Sequence, residues 1–213
     1  MKSTWRLGPL LLWLALIGFA AEPSVAAEAH TSPEQASKFV EDLGSSIVTL
    51  LSGDNRGGVD QHHEKFSILV RRGFDLEVIG RFALGRSWRR ATPAQQQEYQ
   101  KLFAVWTIND YEQLLGANMG DRLTIIGARS IGGRDALVHT KIDRLNGTPV
   151  EMDLRVRDTD GEMKIVDVIV SGASLGVTRR DEFGSMIQRQ GLDGLISDLR
   201  SRVDNLQAEA IQD

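Results

Sequence analysis

The pentapeptide Gly172-Ala173-Ser174-Leu175-Gly176 is where this sequence first offers chemistry. It fits the G-x-S-x-G pattern, which presents a nucleophilic serine on a sharp turn between a strand and a helix. A serine attacks only when a base takes its proton, and in hydrolases with this turn the histidine comes later in the chain. The last histidine here is His139, upstream of Ser174. Ser174 therefore reads as the cap of the following helix, with the glycines permitting the turn. A secreted serine hydrolase using Ser174 is the disfavoured alternative.

Metal and nucleotide chemistry have less to work with. His62 and His63 are adjacent, so their side chains diverge on a helix, and His30 and His139 each stand alone. No cysteine and no Asp/Glu–His pair at ligand spacing accompanies them, so no metal is expected. Neither G-x-x-x-x-G-K-[ST] nor G-x-G-x-x-G occurs, and no cofactor is expected. The carboxylate pairs Asp158/Asp160 and Glu151/Asp153 fall in a turn or on a polar strand face, where water solvates them. Arg86, Arg89 and Arg90 cluster around Trp88. That cluster is either a solvated corner with Trp88 plugged into the core or a docking patch for an acidic partner or a phosphate headgroup.

The elements that position these residues follow from periodicity. Thr31-Ser32-Pro33-Glu34 opens a helix carrying Phe39, Val40, Leu43, Ile47, Leu50 and Leu51, and residues 53–58 form a loop. Asp60 is the expected cap of a second helix ending at Gly73. A third covers Asp75 to Leu84 with Gly85 as its C-cap. Thr92-Pro93-Ala94-Gln95 is a capping box. The helix it opens is apolar on two stripes, one with Tyr99, Leu102, Phe103 and Trp106, the other with Ile108, Tyr111 and Leu115. Such a helix is buried on several sides and is expected against the sheet.

From Leu123 the period changes to two. Leu123–Ile131, Ala136–Leu145, Val150–Arg157 and Lys164–Ser171 read as four strands, and Asn146-Gly147 and Asp160-Gly161 mark hairpin turns joining the last three. Thr178 to Gln190 and Leu192 to Leu206 are closing helices. The fold class is α+β, a curved antiparallel sheet packed with helices. In the last strand Ile165, Val166, Val168, Ile169 and Val170 leave almost no solvent face, so one side meets helices and the other meets more core or an apolar ligand.

The C-terminal third carries Met163-Lys164-Ile165-Val166-Asp167-Val168, Ser171-Gly172-Ala173-Ser174-Leu175, Arg179-Arg180-Asp181-Glu182-Phe183 and Gly191-Leu192-Asp193-Gly194-Leu195-Ile196. Upstream stand Phe74-Asp75, Gly80-Arg81-Phe82-Ala83-Leu84-Gly85, Trp88-Arg89, Thr92-Pro93, Glu98-Tyr99, Phe103 and Tyr111-Glu112. These blocks resemble the MlaC, or toluene-tolerance auxiliary, family of periplasmic phospholipid-binding proteins. The resemblance implies a nuclear-transport-factor-like domain with a deep apolar cavity. It also implies a role as a lipid carrier, not an enzyme, serving an inner-membrane ABC transporter with a substrate-binding ring and an outer-membrane lipoprotein complex. Met163 and Val166 stand where the family has aromatics, and Ala173 where it has a larger aliphatic. A hopanoid-like polycyclic lipid is therefore the alternative cargo.

Apolar residues of the segments expected to enclose the cavity are the candidate lipid contacts: Leu102, Phe103, Trp106, Ile125, Val138, Ile142, Leu154, Val166 and Val168. Strand parity is open, since a one-residue shift exchanges the faces.

Lys2 and Arg6 precede an apolar run from Leu10 to Ala21, then Val25-Ala26-Ala27. Residues 1–27 therefore read as a cleavable signal peptide and 28–213 as one lipid-binding domain in the periplasm. The chain carries a formal charge of −4, a poor match to nucleic acid, whose phosphates demand lysine and arginine. With no cysteine there are no disulfide staples, so stability rests on the core. N-terminal sequencing of the exported protein is expected to begin near Glu28 or His30, and recovery of intact Met1 in the membrane fraction would overturn this reading.

Overall fold

Pro33 opens helix α1 (Pro33–Ser52) with its pre-set φ, and the Ser32 hydroxyl accepts from the Gln35 N–H. The structure, a computed structural model, describes residues 31–52, 58–116, 122–143 and 148–210. The expected signal peptide and the Asn146-Gly147 turn lie outside the described residues. Helix α2 (Gly58–Gly73) begins two residues ahead of Asp60, which therefore sits within the helix. Asp75 caps α3 (Leu76–Leu84) by accepting from the Val78 N–H at 2.9 Å. Gly85 ends it at φ +59° and leads into a 3-10 turn over Gly85–Arg90.

Helix α4 (Pro93–Gly116) opens with both bonds of the expected capping box. The Thr92 N–H donates to Gln95 Oε1, and the Gln95 N–H donates back to Thr92 Oγ1. Helix α5 (Leu175–Ala210) is two segments broken at Gly191, whose φ of +75° is not helical. That break matches the expected boundary between the closing helices, although the first begins three residues earlier than Thr178.

One antiparallel sheet runs in chain order: β1 (Leu123–Ile131), β2 (Asp135–Ile142), β3 (Val150–Thr159), β4 (Glu162–Val170) and β5 (Ala173–Ser174). The fold is α+β, as its sequence pattern implies. The sheet gains a fifth, two-residue strand because Ser171 and Gly172 turn the chain back with φ of +50° and +82°. Two positive φ values in succession favour glycine, and the twist they impose suits a tight hairpin.

Helix α1 lies across the sheet over β1, β2 and β3. Its start is fixed by Thr31, whose hydroxyl donates to the Arg134 carbonyl at 2.6 Å and accepts from the Asp158 N–H at 2.8 Å. Helix α4, expected against the sheet, packs instead on α2, α3 and α5. Its aromatic stripe causes this. Tyr99, Phe103 and Trp106 each meet Phe183 of α5 at centroid distances of 5.9–6.3 Å, and Tyr99 donates its hydroxyl to the Gly80 carbonyl at 2.9 Å. Only the last turns of α4 reach toward the strands.

The side of the sheet away from the helices is polar. His139 stands opposite Asp153 with Nδ1 and Oδ1 2.6 Å apart. Asp135, its side chain 1% exposed, accepts from Arg155 at 2.5 Å and from Arg157 at 2.7 and 3.0 Å. Burial pushes the Asp135 carboxyl up, but hydrogen bonds from Arg157 and Arg155 outweigh it and hold its pKa below the usual carboxylate range. A carboxyl with a depressed folded-state pKa stabilises above its unfolded value, about 3.9, and that support fades as pH falls through the folded value. Asp135→Asn is expected to cost about 1–3 kcal/mol in urea unfolding at neutral pH. The gap to wild type should narrow below about pH 4, and a gap independent of pH would contradict the assignment.

Candidate functional site: an apolar cavity between sheet and helices

Between α1, the end of α4 and the sheet lies a cavity of about 50 Å³. Helix α1 contributes Val40, Leu43, Gly44 and Ile47, and α4 contributes Tyr111, Leu114 and Leu115. The strands supply Leu123, Ile142, Met152, Leu154, Ile165 and Val168, while Phe74 and Leu175 close the ends. The hydroxyl of Tyr111 is the one oxygen carried by a lining side chain. Burial, with Asp167 and Asp110 nearby, pushes the Tyr111 phenol far above its ordinary pKa, so it stays neutral. A wall of this kind can exclude water and hold hydrocarbon; it has no group for acid–base or nucleophilic work.

Local sequence explains the wall. Val40, Leu43 and Ile47 recur at helical spacing, so one stripe of α1 faces the sheet. A Cβ on Gly44 would come within 2.9 Å of Leu123, and one on Gly73 within 2.2 Å of Leu43. Glycine at both positions lets α1 sit close to β1 and α2.

Strand β4 holds the decisive irregularity. Its register with β3 shifts between Arg155 and Val156, so Val156 pairs with Ile165, Leu154 pairs with Val168, and Val166 is the extra residue of a bulge. Ile165 and Val168 therefore both reach the cavity, which strict alternation would forbid. This accounts for the strand's apolar look on both faces in the sequence.

Of the nine candidate contacts, the structure brings Ile142, Leu154 and Val168 to the cavity wall. Val138 shares the Ile142 side of β2 but is fully buried core. Ile125 and Leu102 pack half-buried against that core. Phe103 and Trp106 belong to the aromatic cluster with Phe183, and Val166 is buried at the bulge. Phe74, Tyr111 and Leu175 escaped the candidate set although they stand in the blocks that carry the resemblance. The α1 stripe was visible as a helix face, but nothing local said that it faced a cavity. Met163, Val166 and Ala173, the three departures from the family pattern, are not among the wall residues, although Val166 is the bulge that sets the strand's register.

A family model described as MlaC protein matches residues 45–201. The chain belongs to the MlaC family. It is 31% identical over 166 residues to the toluene tolerance protein ttg2D of Pseudomonas putida, covering 74% of this chain and 77% of that protein. Its fold is similar to a solved phospholipid-binding protein of Ralstonia solanacearum in complex with a phospholipid. The TM-score is 0.67 at 28% identity, covering 81% of this chain and 98% of that one.

Within this MlaC-family domain, Ser174 is a structural residue. Its hydroxyl donates to Asp167 Oδ2 at 2.7 Å and accepts from the Val177 N–H at 3.0 Å. Asp167 also accepts from the Gly176 N–H at 3.2 Å, so the pair caps the start of α5. The nucleophile pattern is thus spent on a helix cap beside the cavity. Among the described residues no group of three or more His, Asp or Glu side chains could hold a metal ion. Ser174→Ala is expected to lower unfolding stability by about 1 kcal/mol and leave the fold intact. A folded variant of unchanged stability would remove the cap assignment.

Proposed function

We propose that this chain is a periplasmic lipid carrier with no enzymatic role, exported by a signal peptide at residues 1–27, with residues 28–213 as its lipid-binding domain. It holds the acyl chains of a phospholipid between α1, α4 and the sheet. The observation that carries this reading is the cavity wall, apolar on every side except for one neutral phenol. The relative solved with a phospholipid supports the choice of ligand. Burying each methylene contributes about 0.8 kcal/mol, so two long chains supply roughly 20 kcal/mol of gross transfer energy.

That energy sets the mechanism. A chain held so strongly exchanges through bulk water very slowly, so loading and release need docked partners. An inner-membrane ABC transporter with its substrate-binding ring and an outer-membrane lipoprotein complex fill these roles. At about 50 Å³ the cavity is far smaller than an acyl chain, so filling it requires α1 and the end of α4 to move off the sheet.

Native mass spectrometry and lipid extraction of the purified protein are expected to find one lipid-sized ligand, and its chemistry separates a phospholipid from a hopanoid-like polycyclic lipid. Val168→Asp places an unpaired carboxylate in the wall at a cost of several kcal/mol, and should empty the protein of lipid. Leu154→Trp fills the cavity without charge and should do the same. Circular dichroism identifies which variants remain folded. Wild type without lipid after mild purification, or folded wall variants that keep it, would overturn the reading.

A further inference from the structure

A second cleft lies on the far side of α3, between the 3-10 turn and α5, and its chemistry is the opposite of the cavity's. It holds about 640 Å³, and Arg86, Arg90 and Arg180 are among the residues that line it. None of the three has an ion-pair partner among the described residues. Arg179, the immediate neighbour of Arg180, is bound by Asp110 and Glu182 at 2.7 and 2.8 Å and lies over Trp106. Asp181 is the only carboxylate lining the cleft. An acidic chain of formal charge −4 thus gathers three uncommitted cations in one concavity.

Apolar surface stands next to it. Arg180 lies 5.5 Å from the ring centroid of Phe82, which is 42% exposed, and Val177, three residues before Arg180 in α5, is 46% exposed. Arginine beside exposed aromatic and aliphatic groups is the composition of a protein interface. We infer that this cleft docks an acidic peptide segment of a protein partner. Guanidinium forks bind carboxylates bidentately, and the volume takes several side chains at once. A bilayer surface is flat and would leave the concavity unfilled, and the chain's negative charge opposes an anionic bilayer. The occasion for docking rests on the carrier reading, whereas the site rests on the cleft alone.

The test is fluorescence anisotropy of a labelled octaglutamate peptide at low ionic strength. Wild type is expected to bind it and to lose affinity as salt is added. Arg86→Ala/Arg90→Ala/Arg180→Ala should bind roughly tenfold more weakly or worse. Asp181→Asn, which removes the competing carboxylate, should bind about twofold or threefold more tightly. Arg129→Ala/Arg134→Ala, on the sheet and its turn, should match wild type. Equal binding by the triple variant, or equal weakening by the sheet variant, would overturn the inference. So would wild-type binding to phosphatidylglycerol vesicles that octaglutamate does not displace. Lipid content of the same samples separates the two readings. A lipid-free protein that still binds peptide through the three arginines removes the carrier and keeps the docking cleft. A lipid-loaded protein that ignores the peptide removes only the cleft.

Discussion

The extra residue in β4 is the constraint on which the cavity depends. Without the bulge at Val166, alternation would place Ile165 and Asp167 on one side and Val168 on the other. A carboxylate would then share the apolar wall, at a cost of several kcal/mol without a partner. With the bulge, Ile165 and Val168 both line the cavity. Asp167 is free to accept from the Ser174 hydroxyl and the Gly176 N–H at the start of α5. One local insertion thus keeps charge out of the wall and anchors the helix that closes it.

Helix α4 supplies the complementary half of that arrangement. Its aromatic residues are drawn to Phe183 on α5 and its Tyr99 hydroxyl to the Gly80 carbonyl in the middle of α3, so it packs into a helical layer of its own. The sheet is left with α1 and the ends of other elements, and space remains between the layers. A helix apolar on two stripes is buried on more than one side. Here it is the centre of the helical layer, and the same aromatic packing that stabilises the domain keeps the cavity from being filled.

Polar groups are sorted with similar economy. The outer face of the sheet carries its charges in pairs, Asp135 with Arg155 and Arg157, and His139 with Asp153. Arg179 is satisfied by two carboxylates and an aromatic face. The arginines of the second cleft, by contrast, line it without an ion pair among the described residues.

Much of this molecule is determined by the sequence itself, wherever the deciding interaction is local. The capping box at Thr92 and Gln95, the cap at Asp75, the glycine end of α3, the hairpin at Asp160-Gly161 and the capping role of Ser174 all depend on residues a few positions apart. Periodicity separated helices from strands for the same reason, since 3.6 and 2.0 are properties of the chain's own geometry. Tertiary structure alone decided which apolar residues became wall. Register, and with it the Val166 bulge, is settled between strands, and hydrophobicity does not distinguish the Phe103 that packs on Phe183 from the Tyr111 that faces the cavity. Nor could the sequence join Arg180 to Arg86 and Arg90 across some ninety residues, because only the packing of α5 against α3 and the 3-10 turn brings them to one cleft.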